Sequence, residues 1–230
     1  MKFFLDSAIV DEISYALDMW DIDGVTTNPK HVQNSGKPFM SAIREIADLF
    51  RDKPGKTVSV QTNPHNHDDY KAIVAEAEQF AGISENFVIK MPSTENGFKA
   101  CWILSDEGIR CNMTLCFSAF QALQAMRMGA TYVSPFIGWK ENSGDESRQF
   151  IEECVMIRDN YDFETEILVA AVRNGRQMTD AAVTGADIVT AGFGVYQEAF
   201  KHPFTDMGLG KFQGFWDATP YGELADETAG

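Results

Sequence analysis

Positive charge is scarce in this chain of 230 residues: 19 Lys and Arg stand against 34 Asp and Glu, a formal net charge of −15. That balance argues against nucleic acid or an anionic membrane surface as a partner. An anionic small substrate would need a local cluster of Lys, Arg or backbone N–H groups. Cysteine is scarce too. Cys101, Cys111, Cys116 and Cys154 have neither the spacing of a metal site nor the density of a disulfide framework. Cys111 and Cys116 fall around an apolar run and read as small core residues. No apolar stretch is long enough to span a bilayer. The opening MKFFLDSAIVDEI carries Asp6, Asp11 and Glu12, so no signal-peptide core is expected and a cytoplasmic protein is. No GxGxxG or Walker A pattern occurs, which removes the phosphate loop that an open, doubly wound sheet would need. Metal chemistry is not expected either. The nearest approach to a ligand cluster, His65-Asn66-His67-Asp68, follows Pro64 and reads as a loop with Asp68 capping a helix.

What the chain does have is regular alternation. Short apolar or β-branched runs predict strands near Lys2–Asp6, Gly24–Thr27, Thr57–Thr62, Phe87–Met91, Arg110–Leu115, Thr131–Phe136, Glu166–Val172 and Asp187–Thr190. Helical spacing predicts helices over Ile9–Met19, Phe39–Phe50, Asp68–Phe80, Gly97–Asp106, Ser118–Met128, Asp145–Asn160 and Met178–Thr184, with two more near Val195–Lys201 and Thr205–Trp216. Strands alternating with helices require parallel pairing through helical crossovers. The expectation is an α/β fold, one (β/α)8 TIM barrel over residues 1–230, with 204–230 as C-terminal helix and tail.

In such a barrel the chemistry stands at the carboxyl ends of the strands. Those ends read Asp6; Thr26-Thr27-Asn28; Gln61-Thr62-Asn63; Lys90; Asn112 and Thr114; Ser134; Arg173-Asn174; Thr190. Helix caps and turns explain some of these polar residues, Thr27, Asn28 and Ser118 among them, but not one on every strand. Lys90 ends the apolar run Phe87-Val88-Ile89-Lys90-Met91-Pro92. A lysine there either reaches out to water or sits in a dry cleft, where burial disfavours the ammonium and leaves a nucleophilic amine. The polar rim favours the cleft, and with it Schiff-base chemistry on a carbonyl substrate.

Several segments resemble the small transaldolase and fructose-6-phosphate aldolase family. They are Phe3-Phe4-Leu5-Asp6, Asp23-Gly24-Val25-Thr26-Thr27-Asn28-Pro29, Val88-Ile89-Lys90-Met91-Pro92-Ser93-Thr94, Asn112-Met113-Thr114-Leu115, Tyr132-Val133-Ser134-Pro135-Phe136 and Val172-Arg173-Asn174. Their order and spacing match to about Trp216. The resemblance implies a (β/α)8 barrel, no metal or cofactor, and sugar substrates bound through a lysine Schiff base. It also implies a homo-oligomer, a decamer of two pentameric rings whose C-terminal helix docks on a neighbouring subunit. By the same resemblance Lys90 is the nucleophile and Asp6 the proton-transfer group. Thr114 positions a catalytic water and Gln61 stands where transaldolases have a Glu. Thr27, Asn28, Asn112 and Ser134 are assigned to substrate binding. Gln61 points to the aldolase branch, whereas Phe136 replaces that branch's tyrosine and points to transfer.

The anion-binding positions depart from the family. Trp139 stands where an Arg is usual and Ala171 where a Ser is usual, while Arg173 remains and Lys30 is new. This variant resembles the sulfofructose transaldolases in Asn28-Pro29-Lys30-His31, in Asn34-Ser35-Gly36-Lys37-Pro38, and in Gly138-Trp139-Lys140-Glu141-Asn142-Ser143-Gly144-Asp145. A sulfonate carries one charge and needs fewer cationic contacts than a phosphate. Lys30, Trp139 and Arg173 are therefore the candidate anion site. The implied reaction moves dihydroxyacetone from 6-deoxy-6-sulfofructose to an aldose phosphate. A fructose-6-phosphate aldolase-like lyase and an ordinary sugar-phosphate transaldolase are the alternatives.

Overall fold

Successive strand residues point to opposite faces of a sheet, so a strand buried on both sides must satisfy two environments. The computed structural model describes residues 1–222 and contains eight strands. They are β1 (Lys2–Asp6), β2 (Gly24–Thr26), β3 (Thr57–Gln61), β4 (Phe87–Pro92), β5 (Cys111–Cys116), β6 (Tyr132–Pro135), β7 (Glu166–Val172) and β8 (Ile188–Ala191). All pair in parallel in sequence order, and β8 returns to β1, closing a barrel. Eleven helices lie among the described residues: α1 (Val10–Met19), α2 (Pro29–Asn34), α3 (Phe39–Phe50), α4 (Tyr70–Ala81), α5 (Glu95–Asp106), α6 (Ala119–Arg127), α7 (Ile137–Asn142), α8 (Ser147–Asn160), α9 (Gly175–Val183), α10 (Phe193–Ala199) and α11 (Pro203–Asp217). The fold is the (β/α)8 barrel that the alternation of elements predicts. The predicted tail beyond residue 222 lies outside the described residues. No helix among them is long and apolar enough to cross a membrane.

One side of each strand meets the helices. Leu5, Val25, Val58, Val60, Ile89, Met91, Met113, Val133, Ile167, Val169 and Val189 belong to this outer core, with Ile13, Ile43, Ile46, Ile73, Leu104 and Ile151 opposite them. The alternate positions fill the barrel. Phe4, Val88, Tyr132, Leu168 and Ile188 form a separate apolar cluster that plugs its floor. Gly24 makes room for that plug, because a Cβ there would lie 2.6 Å from both the Phe4 ring and the Thr57 carbonyl. Two residues further along, on the same face, stand Asp6 above Phe4, Lys90 above Val88, Ser134 above Tyr132 and Thr190 above Ile188. Period-two alternation thus carries the polar groups into the barrel mouth.

Two strands break that alternation. The pairing of β5 with β6 shifts register between Met113 and Cys116, and that of β7 with β8 between Val169 and Val172. Leu115 and Ala171 absorb the bulges in left-handed conformations, with φ of +56° and +59°. A bulge re-aims the side chains around it. Consecutive residues, Thr114-Leu115 and Ala170 to Arg173, then line one cleft where strict alternation would supply only every second one.

The strand and helix expectations hold apart from boundary shifts and two omissions, α2 and α7. Each is six residues long, too short to display an apolar period. α4 is capped by Asp69 rather than Asp68, because Pro64–Asn66 forms a 3-10 turn and delays the helix by about a residue.

Candidate active site

The barrel mouth opens into a cleft of about 460 Å³. Its lining includes Asp6, Asn28, Lys30, His31, Gln61, Lys90, Thr114, Phe136, Trp139, Arg173 and Thr190, drawn from the carboxyl-terminal ends of all eight strands and the segments that follow them. Of the eleven residues expected from the sequence, eight meet here. Thr27, Asn112 and Ser134 do not line the cleft; they are buried around it.

Lys90 is 2% exposed, and its Nζ donates to the Thr27 carbonyl oxygen at 3.2 Å. Burial pushes its amine below the ordinary lysine range, and the charge of Asp6 offsets this only in part. Asp6 is not a helix cap. α1 begins after Ile9 without a side-chain cap, and Ser7 instead makes a local turn, its hydroxyl accepting from Ile9 N at 3.1 Å and donating to Glu12. Asp6 instead accepts the Thr26 hydroxyl at 2.7 Å on one oxygen and meets His31 Nε2 at 3.0 Å on the other. Burial alone would raise the Asp6 carboxyl. The His31 hydrogen bond, the charges of Lys90 and His31 and the Thr26 hydroxyl outweigh it, so the carboxyl lies below its ordinary value.

Around these two, the polar interior is fully engaged with one exception. Asn112 Nδ2 donates to Ser59 Oγ at 2.9 Å, and its Oδ1 accepts from Ser134 Oγ at 2.7 Å. Thr27 Oγ1 donates to the Ser59 carbonyl at 2.8 Å, so the residue offers its backbone oxygen to Lys90 and its hydroxyl to the barrel wall. The exception is Thr114 Oγ1, buried on the cleft wall with no hydrogen-bond partner. A buried hydroxyl without a partner costs about 1–3 kcal/mol. A group arriving in the cleft, water or a substrate hydroxyl, would relieve that cost.

The cleft's mouth is cationic and aromatic. Asn28 caps α2 by accepting from His31 N at 3.1 Å, and Pro29 occupies the first helical position. This short helix presents Lys30 and His31 to the cleft. Arg173 Nη1 donates to Asn142 Oδ1 at 2.6 Å, a neutral partner that orients the guanidinium without cancelling its charge. Glu141 in turn binds Ser147 and Gln177, and Gln177 Oε1 accepts from Arg173 N at 2.7 Å, which ties α7 to the end of β7. Trp139 is 55% exposed and packs against Phe117 and Phe136, each with ring centroids 5.8 Å away. α7 can come this close only through Gly138, where a Cβ would stand 2.2 Å from the Ala171 carbonyl oxygen and 2.9 Å from Arg173 Nε. The amine therefore lies deep and dry, and the cations lie at the entrance. A carbonyl compound with an anionic end matches that polarity.

In the sequence His31 stands only as a neighbour of Lys30. The Asn28-Pro29 helix start was a readable signal for its placement, but its contact with Asp6 depends on β1 and β2 being adjacent. Asn142 and Gly138 carried no signal of their own. Among the described residues no cluster of three or more His, Cys, Asp or Glu could hold a metal ion.

A family model described as transaldolase/fructose-6-phosphate aldolase matches residues 3–218. Two curated relatives, from Priestia megaterium and Priestia aryabhattai, are described as 6-deoxy-6-sulfo-D-fructose transaldolase. Each is 54% identical over 219 residues, covering 95% of this chain and 96% of its own. A probable transaldolase from Aquifex aeolicus is 44% identical over 220 residues, covering 96% of this chain and 98% of its own. Among solved structures, 3-hexulose-6-phosphate synthase from Salmonella typhimurium shares the fold with a TM-score of 0.55 at 15% identity, over 86% of this chain and 96% of its own. Thiamine phosphate pyrophosphorylase from Pyrococcus furiosus does so with a TM-score of 0.59 at 13% identity, over 86% and 93%.

Proposed function

The chain belongs to the transaldolase/fructose-6-phosphate aldolase family, and on that footing we propose that it moves a dihydroxyacetone unit from 6-deoxy-6-sulfofructose, through a Schiff base on Lys90, to an aldose-phosphate acceptor. The observation that carries this reading is the polarity of the cleft, a buried amine below a mouth holding Lys30, Arg173 and Trp139.

Lys90 Nζ, free of its proton, attacks the C2 carbonyl carbon. The carbinolamine hydroxyl takes a proton from solvent and leaves as water, giving an iminium; the later hydrolysis that frees the product returns that proton. The C3–C4 bond then breaks, its electron pair flowing into the iminium to leave an enamine, while the C4-hydroxyl proton passes to Asp6. The enamine carbon attacks the aldehyde carbon of the acceptor, the new alkoxide takes the proton, and water releases the product from Lys90. Thr114 Oγ1 and Gln61 are suited to hold the water that leaves and returns. Asn28 faces the substrate directly. Asn112, Ser134 and Thr27 act from beneath, Thr27 through the carbonyl that holds Lys90.

Lys30, Arg173 and the Trp139 indole N–H would hold the sulfonate. Neither cation forms an ion pair among the described residues, so both charges remain available. Phe136 on the cleft wall has no hydroxyl to protonate the enamine, which favours transfer over release of free dihydroxyacetone. Gln61 keeps the lyase reading in view.

A donor panel tests the assignment: sulfofructose, fructose 6-phosphate and fructose, each with and without an acceptor aldehyde. Sulfofructose with acceptor should be turned over best. Equal or better use of fructose 6-phosphate would sink the sulfonate assignment, and fast dihydroxyacetone release without acceptor would favour the lyase. Borohydride reduction in the presence of dihydroxyacetone should add mass to the peptide bearing Lys90; absence of that adduct removes the Schiff base.

A further inference from the structure

An ionised carboxylate only accepts hydrogen bonds, so the proton in the 3.0 Å contact between His31 and Asp6 belongs to His31 Nε2. The other Asp6 oxygen takes the single hydrogen of the Thr26 hydroxyl at 2.7 Å. Thr190 must then be the donor in its own 2.7 Å contact with Thr26. Asp6 is thus held between the Thr26 hydroxyl from β2, itself backed by Thr190 from β8, and an imidazole from α2. His31 is fixed independently of Asp6, because its backbone N–H is bonded to the Asn28 side chain at 3.1 Å and so anchors the first turn of α2. Its ring is one-fifth exposed on the cleft wall, and Asp6 is its polar partner there.

We propose that His31 is a positioning residue for proton transfer at Asp6, orienting the carboxylate toward the reacting hydroxyl and favouring its ionised form. This rests on the Schiff-base reading above. In the first half-reaction the C4-hydroxyl proton moves to Asp6 as C3–C4 breaks. In the second, Asp6 returns it to the acceptor's carbonyl oxygen as the new bond forms. His31 gains and loses no proton across the cycle. Its N–H bond is strong to the carboxylate and weak to the neutral acid, so it makes protonated Asp6 a readier donor to the incoming aldehyde. The bond therefore suits an enzyme that completes transfer. The other charged groups on the same cleft are Lys30 from α2, Lys90 from β4 and Arg173 just after β7, and of these Lys90 also favours ionised Asp6.

The test compares wild type with His31→Gln and His31→Leu by two readouts. One is borohydride trapping of Lys90 with dihydroxyacetone, which breaks no carbon–carbon bond. The other is the pH profile of kcat/KM for transfer from the donor that wild type uses best. Both variants should be trapped as wild type is. His31→Leu should lose about tenfold in turnover, less than the roughly 10²–10⁴-fold that a direct acid–base group supplies, and its acid limb should move to higher pH. His31→Gln, whose amide can still donate to Asp6, should recover part of the rate and part of the displacement of the limb. Normal trapping with an unmoved acid limb in both variants would overturn the proposal, as would parallel loss of trapping and turnover in folded protein. Failure to trap wild type would instead overturn the Schiff-base reading and this proposal with it.

Discussion

At the scale of single residues, the cleft holds two groups whose cost to the fold should be separable from their use. Lys90 is buried, and its amine is held below the ordinary value of 10.5. In the window between its folded value and 10.5 the unfolded chain binds more protons, so stability rises with pH across that window and is reduced below it. Lys90→Met should abolish borohydride trapping yet melt at the same temperature as wild type or a few degrees above it, since about 1 kcal/mol is worth roughly 2–4 °C in a chain of this size. The gap between the two should narrow as pH approaches 10.5 in calorimetric scans. Thr114 makes the complementary case. Its hydroxyl is buried without a protein partner, so Thr114→Val should leave thermal stability unchanged or raised while slowing turnover about tenfold or more, the scale of a lost water-positioning contact. A valine variant with wild-type turnover would show that the hydroxyl holds nothing needed in the reaction.

Elements decide which residues share the cleft. The strands were legible because β-branched and apolar runs are long and regularly spaced. The polar rim was legible because barrel chemistry stands at carboxyl ends. Some of that rim turned out to be capping: Asn28, Asn63 and Asn174 each accept a backbone N–H at the start of a helical turn. The bulges in β5 and β7 were not legible, because Leu115 and Ala171 are ordinary residues in a left-handed conformation that costs an L-residue roughly 1–2 kcal/mol. Nor was α7, whose approach to β7 hangs on Gly138. Gly138→Ala should push α7 off the Ala171 carbonyl and disturb Arg173, raising KM for an anionic donor about tenfold, equivalent to about 1.4 kcal/mol of lost contact. KM for an uncharged ketose should change far less. An equal effect on charged and neutral donors would count against Arg173 as an anion contact.

For the whole molecule, a closed barrel leaves one helix without a packing duty. α11 exposes Phe204, Met207, Leu209, Phe212, Phe215 and Trp216, a concentration of apolar surface that marks interaction sites. The family resemblance implies rings joined through this helix, and a second copy of the chain is the occupant we expect. Light scattering behind size exclusion should give a multiple of the 25.6 kDa protomer. Phe212→Glu with Trp216→Glu should lower that multiple while Lys90 trapping persists. A wild-type protomer mass would remove the ring assignment. The net charge of −15 belongs to this scale too. It repels anions at long range, so binding of an anionic sugar must come from the cations gathered at the cleft mouth.

The barrel, the lysine toward the carboxyl end of β4 and the carboxylate at the end of β1 are readable in the chain's linear order. Periodicity, chain order and strand-end position are local properties, and each of these follows from them. What those residues touch follows from folding alone. Asp6 meets His31 because β1 lies beside β2. Lys90 is dry because closure of the barrel surrounds it. Arg173 is aimed by Asn142 because a helix without a side chain at Gly138 can press against β7. Contacts between residues distant in the chain are set by closure and close packing, and no local spacing carries them.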